Sequence, residues 1–557
     1  MKRNFKTLLV QICIVAVFAI LSPISVSAQS FAEYKAKAEQ GDAVAQFNLA
    51  LCYLKGDGVA QDYAASYDWF LKSAEQNNAE AQCMLGFMNE LMKEYTEAAA
   101  WYLKSANAGN ATAQYAMGNN YLTGQGVEQN VNEAVKWYRL SAEQGDSDGQ
   151  CELGACYYYG VGVAEDNAKA LEWFRKSVAQ NNAKAQYYMG LCYYYGHGVT
   201  QSYADAVNWY RKSAEQDNAG AQYWLGRCYF YGNGVAEDNY AAVSWFAKSA
   251  EQDNDEAQYF LGLCYSYGYG VEKSAVDAVN WYRKAAEQGN ADAQCALGHC
   301  YATAKGVDAN AELAVSWYRK AAEQGSADAQ GELGFCYYYG QGVEQSYVDA
   351  VNYFRKSAES DHPISQYYLG ECYYNGSGVN QSYEKAVDWY RKSADQGYDA
   401  AQYMLGRCYD SGQGVKQSSV DAVNWYRKAV EQDNAMAQYL LAHHYFKGDG
   451  VAENKAKAFT LYLAAANQNI VAAQHIVGLY YAEGVGGVEQ SATEAVNWFR
   501  KAAEQGNADA QYRLGVCYAE GFGVEKNLEN AITWYRLAAR NNINDAKLAL
   551  NNLGVTW

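Results

Sequence analysis

An Ala-Gln pair that returns at a nearly constant interval constrains the fold of this chain more than any other feature. Its glutamine, called the anchor, occurs fourteen times and numbers repeats 1 to 14: Gln46, Gln82, Gln114, Gln150, Gln186, Gln222, Gln258, Gln294, Gln330, Gln366, Gln402, Gln438, Gln474 and Gln511. Nearly every interval is 36 residues, except for 32 after Gln82 and 37 after Gln474. Such a period indicates an array of one supersecondary unit with contacts mainly between neighbours.

One copy, residues 290–324, has the pattern of two amphipathic helices. Asn290 is placed to cap a first helix, helix A, in which Leu297 belongs to the apolar stripe and after which Gly306 marks the turn. A second helix, helix B, carries Trp317 and Tyr318. One αα-hairpin cannot bury both apolar faces alone, so copies must stack. The sequence therefore predicts an all-α solenoid of about fourteen 36-residue αα-hairpins.

The repeated motif is Ala-x-Ala-Gln-x-x-Leu-Gly-x-x-Tyr-x-x-Gly-x-Gly-Val, followed by Ala-x-x-Trp-Tyr-Arg-Lys-Ala-Ala-Glu-Gln. Ala221-Gln222 and Leu225-Gly226 show its first half, and residues 281–288 its second half. This motif resembles the Sel1-like repeat, a relative of the tetratricopeptide repeat. The resemblance covers residues 31 to 557 and implies a right-handed superhelical solenoid that holds partner proteins.

Residues 1–28 have the three parts of a signal peptide. A basic start is followed by an apolar run from Leu8 to Leu21 and by the small residues of Val26-Ser27-Ala28. The run is shorter than the roughly 20 residues that a bilayer requires, and no later segment is apolar enough to span one. We therefore expect cleavage before Gln29, a solenoid over residues 29–557, a periplasmic or secreted location and no stable membrane insertion.

The charge of the chain is strongly negative, at −18 for all 557 residues. Removal of the three basic residues in the predicted signal peptide makes the charge of the remaining chain more negative still. Affinity for nucleic acid or anionic lipid rests largely on Lys and Arg side chains that neutralise phosphate. The sequence therefore predicts no nucleic-acid partner.

Cysteines form a column six residues after the anchor in ten repeats: Cys52, Cys156, Cys192, Cys228, Cys264, Cys300, Cys336, Cys372, Cys408 and Cys517. Packed helices lie about 8 to 10 Å apart, whereas bridged cysteines need Cα atoms within roughly 7 Å. The column is therefore predicted to stay free and buried.

Signatures of an enzyme or of a cofactor site are sparse. The Gly-x-Gly-Val loop occurs in twelve repeats, which favours a turn rather than a phosphate site. Ser382 to Lys385 match Ser-x-x-Lys, but the partner motifs of penicillin-recognising enzymes are missing. The six histidines include no His-Glu-x-x-His. The sequence predicts no catalytic residue, no metal site and no cofactor.

Tyrosine, present 53 times, is the strongest candidate for function. Tetratricopeptide-like geometry would place positions one, five, eight and nine after the anchor on a concave wall, and position five varies between repeats. The predicted partner-binding residues are Tyr187, Tyr223, Tyr259, Tyr367, Tyr403 and Tyr439 at position one, Arg227, Arg407 and His443 at position five, and Tyr195, Tyr231 and Tyr267 at position nine. The alternative is that these rings pack on a neighbouring repeat.

These observations favour an exported scaffold that binds a protein or peptide along a tyrosine-rich surface. A module that binds glycan or peptidoglycan is the nearest alternative, because tyrosine faces also stack on sugar rings. An enzyme that acts on β-lactams or cell-wall peptides is a more distant one.

Overall fold

The computed structural model describes residues 28–556, and all regular secondary structure in that range is helical. The helices are α1 (Ala28–Glu39), α2 (Ala43–Lys55), α3 (Tyr63–Glu75), α4 (Ala79–Leu91), α5 (Tyr95–Asn107), α6 (Ala111–Thr123), α7 (Val131–Glu143), α8 (Ser147–Tyr159), α9 (Asn167–Val178), α10 (Ala183–Tyr195), α11 (Tyr203–Ala214), α12 (Ala219–Tyr231), α13 (Asn239–Glu251), α14 (Asp255–Tyr267), α15 (Ala275–Glu287), α16 (Ala291–Thr303), α17 (Ala311–Glu323), α18 (Ala327–Tyr339), α19 (Tyr347–Glu359), α20 (Pro363–Asn375), α21 (Tyr383–Asp395), α22 (Asp399–Ser411), α23 (Ser419–Glu431), α24 (Ala435–Lys447), α25 (Lys455–Asn467), α26 (Val471–Glu483), α27 (Ala492–Glu504), α28 (Ala508–Glu520), α29 (Leu528–Arg540) and α30 (Asn544–Asn552).

Two compact units make up the chain, one ending at Ala285 and the other beginning at Ala286. Within each unit, the even-numbered helices from α2 onward are A helices and the odd-numbered helices that follow them are B helices. Consecutive helices pack on each other as αα-hairpins, and each hairpin packs on the next. The predicted all-α solenoid of fourteen repeats is confirmed.

The ends of the A helices explain the turn motif, as α10 shows. The Asn182 side chain caps the start by accepting a hydrogen bond from the Ala185 N–H at 2.9 Å. At the other end, Gly196 has φ 77° and donates its N–H to the Cys192 carbonyl at 2.9 Å. Gly198 also has positive φ, and a Cβ there would lie 2.8 Å from the Asn167 carbonyl oxygen of the preceding B helix. Both glycines are therefore needed to turn the chain against its neighbour.

The core of each hairpin is an aromatic ring of helix B seated on the glycine of the Leu-Gly pair in helix A. A Cβ on Gly226 would lie 2.7 Å from the Phe246 ring, and one on Gly190 would lie 2.4 Å from the Tyr210 ring. Phe246 and Tyr210 are fully buried. Glycine recurs here because only a helix surface without a side chain lets the ring approach this closely; repeats 1 and 12 carry alanine at this position.

The anchor glutamines form a buried hydrogen-bond ladder. Gln222 donates through Nε2 to the carbonyl of Ala214 in the preceding B helix at 3.3 Å. Its Oε1 accepts from Nε2 of Gln252, at the end of its own B helix, at 2.9 Å. The same pattern recurs along the chain, for example from Gln216 to Gln186 at 2.8 Å. Satisfied polar side chains of this kind fix the register of one helix against the next, because an unpaired partner would cost free energy.

The structure of residues 28–556 also bears on the cysteine column and on membrane-spanning helices. The ten cysteines of the column are free and buried, as predicted. In the same range no helix has the length and apolar character needed to span a membrane. The predicted signal peptide, residues 1–28, lies outside the described residues except for Ala28.

Candidate partner-binding surface

Four successive repeats, 4 to 7, present a tyrosine at position nine, in the last turn of helix A. These tyrosines are Tyr159, Tyr195, Tyr231 and Tyr267, and their exposed fractions are 58%, 49%, 52% and 60%. Each lies directly before the glycine that ends its helix, so its ring stands at the edge of the A-helix layer. The equivalent residue in the other repeats is not aromatic, apart from Tyr339 in repeat 9. The exposed tyrosines are thus concentrated in one run of repeats.

A layer of less exposed rings lies beneath these tyrosines. The residue at position two of the next repeat is aromatic in this part of the chain: Tyr188, Trp224 and Phe260. Tyr195 approaches Trp224 with ring centroids 5.8 Å apart, and Tyr231 approaches Phe260 at 6.4 Å. The rings at position eight fill the gap, as Tyr194 does against Trp224 at 4.9 Å. We call Tyr159, Tyr195, Tyr231 and Tyr267, with these supporting rings, the tyrosine surface.

Arg227 lies in the middle of the tyrosine surface. Its guanidinium carbon is 4.6 Å from the Trp224 ring centroid and 5.8 Å from that of Tyr231. Tyr223 and Phe260 complete the aromatic surroundings at 5.7 and 5.8 Å. The Nε atom is buried and has no hydrogen-bond partner. A cation held over rings in a strongly acidic chain is a suitable contact for a carboxylate on a partner.

The predicted tyrosines at position one have a different environment. Tyr187 lies 6.3 Å from the Tyr210 ring, Tyr259 lies 6.0 Å from Tyr282, and Tyr223 lies 6.2 Å from Phe246. Tyr187 and Tyr259 are half-buried, and Tyr223 is only 8% exposed. Burial raises the pKa of Tyr187 to about 12. Packing within the array describes position one better than exposure to a partner, because these tyrosine rings cover the helix-B ring of their own repeat.

The predicted site residues of the second unit do not form an equivalent surface. Tyr367, Tyr403 and Tyr439 are half-buried against the helix-B rings of Tyr390, Tyr426 and Tyr462. Arg407 is exposed beside Tyr403. Nδ1 of His443 is hydrogen-bonded to the Tyr462 hydroxyl at 2.6 Å. Position nine in repeats 10 to 12 is Asn375, Ser411 and Lys447, so these repeats have no tyrosine at the position that carries the exposed rings of repeats 4 to 7.

Comparison with known proteins identifies the family. The profile described as Sel1 repeat matches fourteen consecutive segments from residue 43 to residue 543. The chain belongs to the Sel1 repeat family. A protective antigen present in uropathogenic Escherichia coli strains, whose crystal structure displays an SLR fold, is 34% identical, with a TM-score of 0.59 over 85% of this chain and 95% of that chain. A Sel1 repeat protein from Oxalobacter formigenes is 32% identical, with a TM-score of 0.43 over 56% of this chain and 89% of that chain.

Among proteins of curated function, none matches the chain. Sel1 repeat proteins typically act as scaffolds for protein–protein interaction and are generally not enzymes.

The B helices of the Sel1 array carry tryptophan rings, most of which are half-buried. Trp209 has the Lys212 ammonium 4.4 Å from its ring centroid, and Trp245 has that of Lys248 at 4.2 Å. Lysine covers the helix-B tryptophan in this way in ten repeats of the chain. On most B helices a lysine ammonium therefore lies over the tryptophan ring of its own helix.

His444 replaces the column cysteine of Sel1 repeat 12 and lies between two carboxylates. Its Nδ1 is 3.0 Å from the Asp449 carbonyl oxygen, and its Nε2 is 3.4 Å from an Asp410 carboxylate oxygen. Asp410, His444 and Asp449 are the group of ligand-type side chains in residues 28–556 that could hold a metal. Both imidazole nitrogens already face protein oxygens, so the group links the A helix of repeat 11 to the turn of repeat 12.

The supporting rings at position two were not among the predicted site residues. Tyr188, Trp224 and Phe260 occupy this position in three successive Sel1 repeats, whereas most other repeats have no ring there. A local run of aromatic residues at one repeat position was the available signal. It coincides with the run of tyrosines at position nine.

Proposed function

We propose that this chain is an exported scaffold that binds a protein partner through the tyrosine surface of repeats 4 to 7. The observation that carries the proposal is the set of four tyrosines at equivalent positions in four successive repeats, each about half exposed and most of them supported by aromatic rings of the next repeat. A regular array of this kind suits an extended segment of a partner better than a compact small molecule.

The supporting rings hold the exposed tyrosines in place, and this also favours affinity for a partner. Tyrosine combines apolar area with a hydroxyl that tolerates water, and it is enriched among binding hot spots. Rings that are already held by Trp224 or Phe260 lose little side-chain freedom when a partner binds. Neighbouring helices lie about 8 to 10 Å apart, and an extended peptide advances about 3.3 Å per residue. Roughly every third residue of such a peptide would therefore meet one tyrosine.

The charge pattern indicates the chemistry of the partner. Arg227 offers a guanidinium among rings, and most of the chain repels anions because its net charge is −18. A segment with apolar or aromatic side chains and a carboxylate opposite Arg227 would match this surface. Nucleic acid would not, because a long anionic backbone would face an acidic protein.

The proposed location rests on the sequence. Residues 1–28 have the pattern of a signal peptide, so the scaffold would act in the periplasm or outside the cell. Cell-wall glycan is then also within reach, and tyrosine faces can stack on sugars. The experiment must therefore separate a protein partner from glycan.

Site-specific photo-cross-linking tests the proposal. A benzoylphenylalanine is placed at residue 195, 231 or 267 of the full chain in its native cells, and at residue 240 as a control. Tyr240 is 79% exposed but lies on the B helix of repeat 6. We expect the same protein adduct from the three A-helix positions and none from residue 240. Equal adducts from residue 240, or adducts that muramidase and glycosidase digestion removes, would contradict the proposal.

A further inference from the structure

A cavity of about 390 Å³ lies in the second unit, between repeats 12 and 13, far along the sequence from the tyrosine surface. Its apolar wall consists of Phe446 from α24, Ile476 and Leu479 from α26, and Val485 from the following turn. Cavities that bind small ligands in proteins generally have volumes of about 300 to 1,000 Å³ and largely apolar walls. The size and lining of this cavity fall within that range.

The cavity coincides with a departure from the regular repeat. Repeat 13 has 37 residues, and its additional residue lies in the turn that contains the 3₁₀ segment Val485–Gly487. In repeat 6 the ring at position eight, Phe230, meets the Phe260 ring at 6.0 Å. Here the corresponding Phe446 has the aliphatic Ile476 opposite instead. The space that two rings fill in repeats 6 and 7 is left open by the smaller side chain.

Tyr480 replaces the cysteine of the column, and its side chain belongs to the lining of this cavity. Its ring packs on Phe459 at 5.4 Å, on Tyr462 at 6.0 Å and on Phe446 at 6.3 Å. The side chain is 4% exposed, and its hydroxyl oxygen is buried without a hydrogen-bond partner. A buried polar group without a partner costs free energy unless something else supplies the hydrogen bond. A ligand in the cavity would supply it.

The remaining polar groups favour an anionic ligand. Lys447 and Lys455 belong to the lining, and Glu483 is its one carboxylate. Burial, with a smaller contribution from Lys447, lowers the pKa of His443, so its imidazole is neutral at neutral pH. His443 is also held by the Tyr462 hydroxyl at 2.6 Å. Two exposed ammonium groups, of which that of Lys455 lies 3.5 Å from a Glu453 carboxylate oxygen, and the unpartnered Tyr480 hydroxyl therefore lie near an apolar wall.

We propose that this cavity binds a small amphipathic carboxylate, such as a medium-chain fatty acid. The apolar body would contact Ile476, Leu479 and Val485, while the carboxylate would accept hydrogen bonds from Tyr480 and from a lysine at the entrance. This site is independent of the tyrosine surface, because its residues lie in other repeats and its ligand is of another class.

Titration calorimetry on the full mature chain with decanoate, below its micellar concentration, tests the site. Decylammonium and decanol are the comparison ligands, with the same chain length and another head group. We expect one decanoate site per chain, at least about tenfold tighter than for decylammonium because of the two lysines. An absence of saturable decanoate binding to the folded chain, or equal binding of decylammonium, would overturn the proposal.

Two variants locate the site. Tyr480→Phe removes only the hydroxyl and should weaken decanoate binding by about 10-fold or more, since a hydrogen bond to a charged group is lost. Tyr426→Phe is the matched control, because the Tyr426 hydroxyl is also buried without a partner but lies outside the lining. Lys455→Gln should weaken binding of decanoate and not of decanol. Decanoate affinity that is unchanged in both Tyr480→Phe and Lys455→Gln would place binding elsewhere and overturn the proposal.

Discussion

Single positions of helix A differ in what their side chains touch, and this difference decides their roles. Tyr223 at position one lies against the buried ring of Phe246 in its own repeat. Tyr231 at position nine lies at the end of the same helix and is half exposed over Phe260. Cys228 at position six is fully buried. Tyr223 and Cys228 therefore belong to the buried core, whereas Tyr231 on the same helix belongs to the surface.

The sequence could not separate positions one and nine. At 100° per residue the two positions differ by about 80° around the helix, so both belong to one broad face. Which part of that face is covered depends on the helix-B ring and on the next repeat, and these are tertiary contacts. The periodicity therefore predicted one tyrosine-rich face, but it could not show that Tyr187, Tyr223 and Tyr259 pack against the helix-B rings of their own repeats.

The buried thiols make the chain sensitive to alkaline pH. Burial raises the pKa of Cys192, Cys228 and Cys264 to about 12 from an ordinary value near 9. The unfolded chain therefore releases these protons from about pH 9 upward, whereas the folded chain retains them until about pH 12. Stability that is complete below pH 9 should fall as the pH rises through this window.

The measurement is the melting temperature by circular dichroism from pH 7.5 to 11, without reductant. We expect a progressive fall above pH 9 and a shallower fall in the variant with Cys192, Cys228 and Cys264 all changed to Ala. A melting temperature that stays constant to pH 11, or identical curves for the two proteins, would show that the thiols are not protonated core residues.

At the scale of helices, the repeat motif describes the hairpin closely. The spacing of the anchors, the paired glycines and the capping residues predicted both helices and the turn between them, because these features are local to the chain. The packing of the helix-B ring on the glycine of the Leu-Gly pair was harder to predict from the sequence. It is a contact between residues twenty positions apart, such as Gly226 and Phe246, and only the packed hairpin shows it.

Gly226→Ala tests this contact. The added methyl would lie 2.7 Å from the Phe246 ring and 3.2 Å from the Ala242 carbonyl oxygen, so the helices must separate. We expect a loss of about 1 to 3 kcal/mol in repeat 6, typical of overpacking. Hydrogen exchange of the backbone amides of α12 and α13, followed by mass spectrometry, measures this loss of stability.

Gly220→Ala on the same helix is the matched control. Its nearest atoms would be 3.3 and 3.4 Å from the new Cβ, and alanine favours a helix over glycine by up to about 1 kcal/mol. Exchange in this variant should be unchanged or slower. If Gly226→Ala also left exchange unchanged, the glycine would not be required by the ring.

Across the whole chain, the two proposed binding sites lie where the repeats differ rather than in the repeated motif. Repeats 4 to 7 share the exposed tyrosines, and repeats 12 and 13 share a cavity and an additional turn residue. The sequence showed both irregularities as changes at single repeat positions. It could not show the cavity itself, because the volume depends on how Phe446, Ile476 and Tyr480 fit together.

We propose that the tyrosine surface of repeats 4 to 7 holds a protein partner. The most direct measurement is the affinity of the cross-linked partner, once purified, for the chain in which Tyr195, Tyr231 and Tyr267 are all changed to Ala. Loss of hot-spot rings costs about 2 kcal/mol or more, which is about 30-fold in affinity, whereas exposed residues contribute little to stability. We expect at least that loss with an unchanged melting temperature, and no loss for Tyr240→Ala. A folded triple variant that binds the partner as tightly as the unchanged chain would contradict the account.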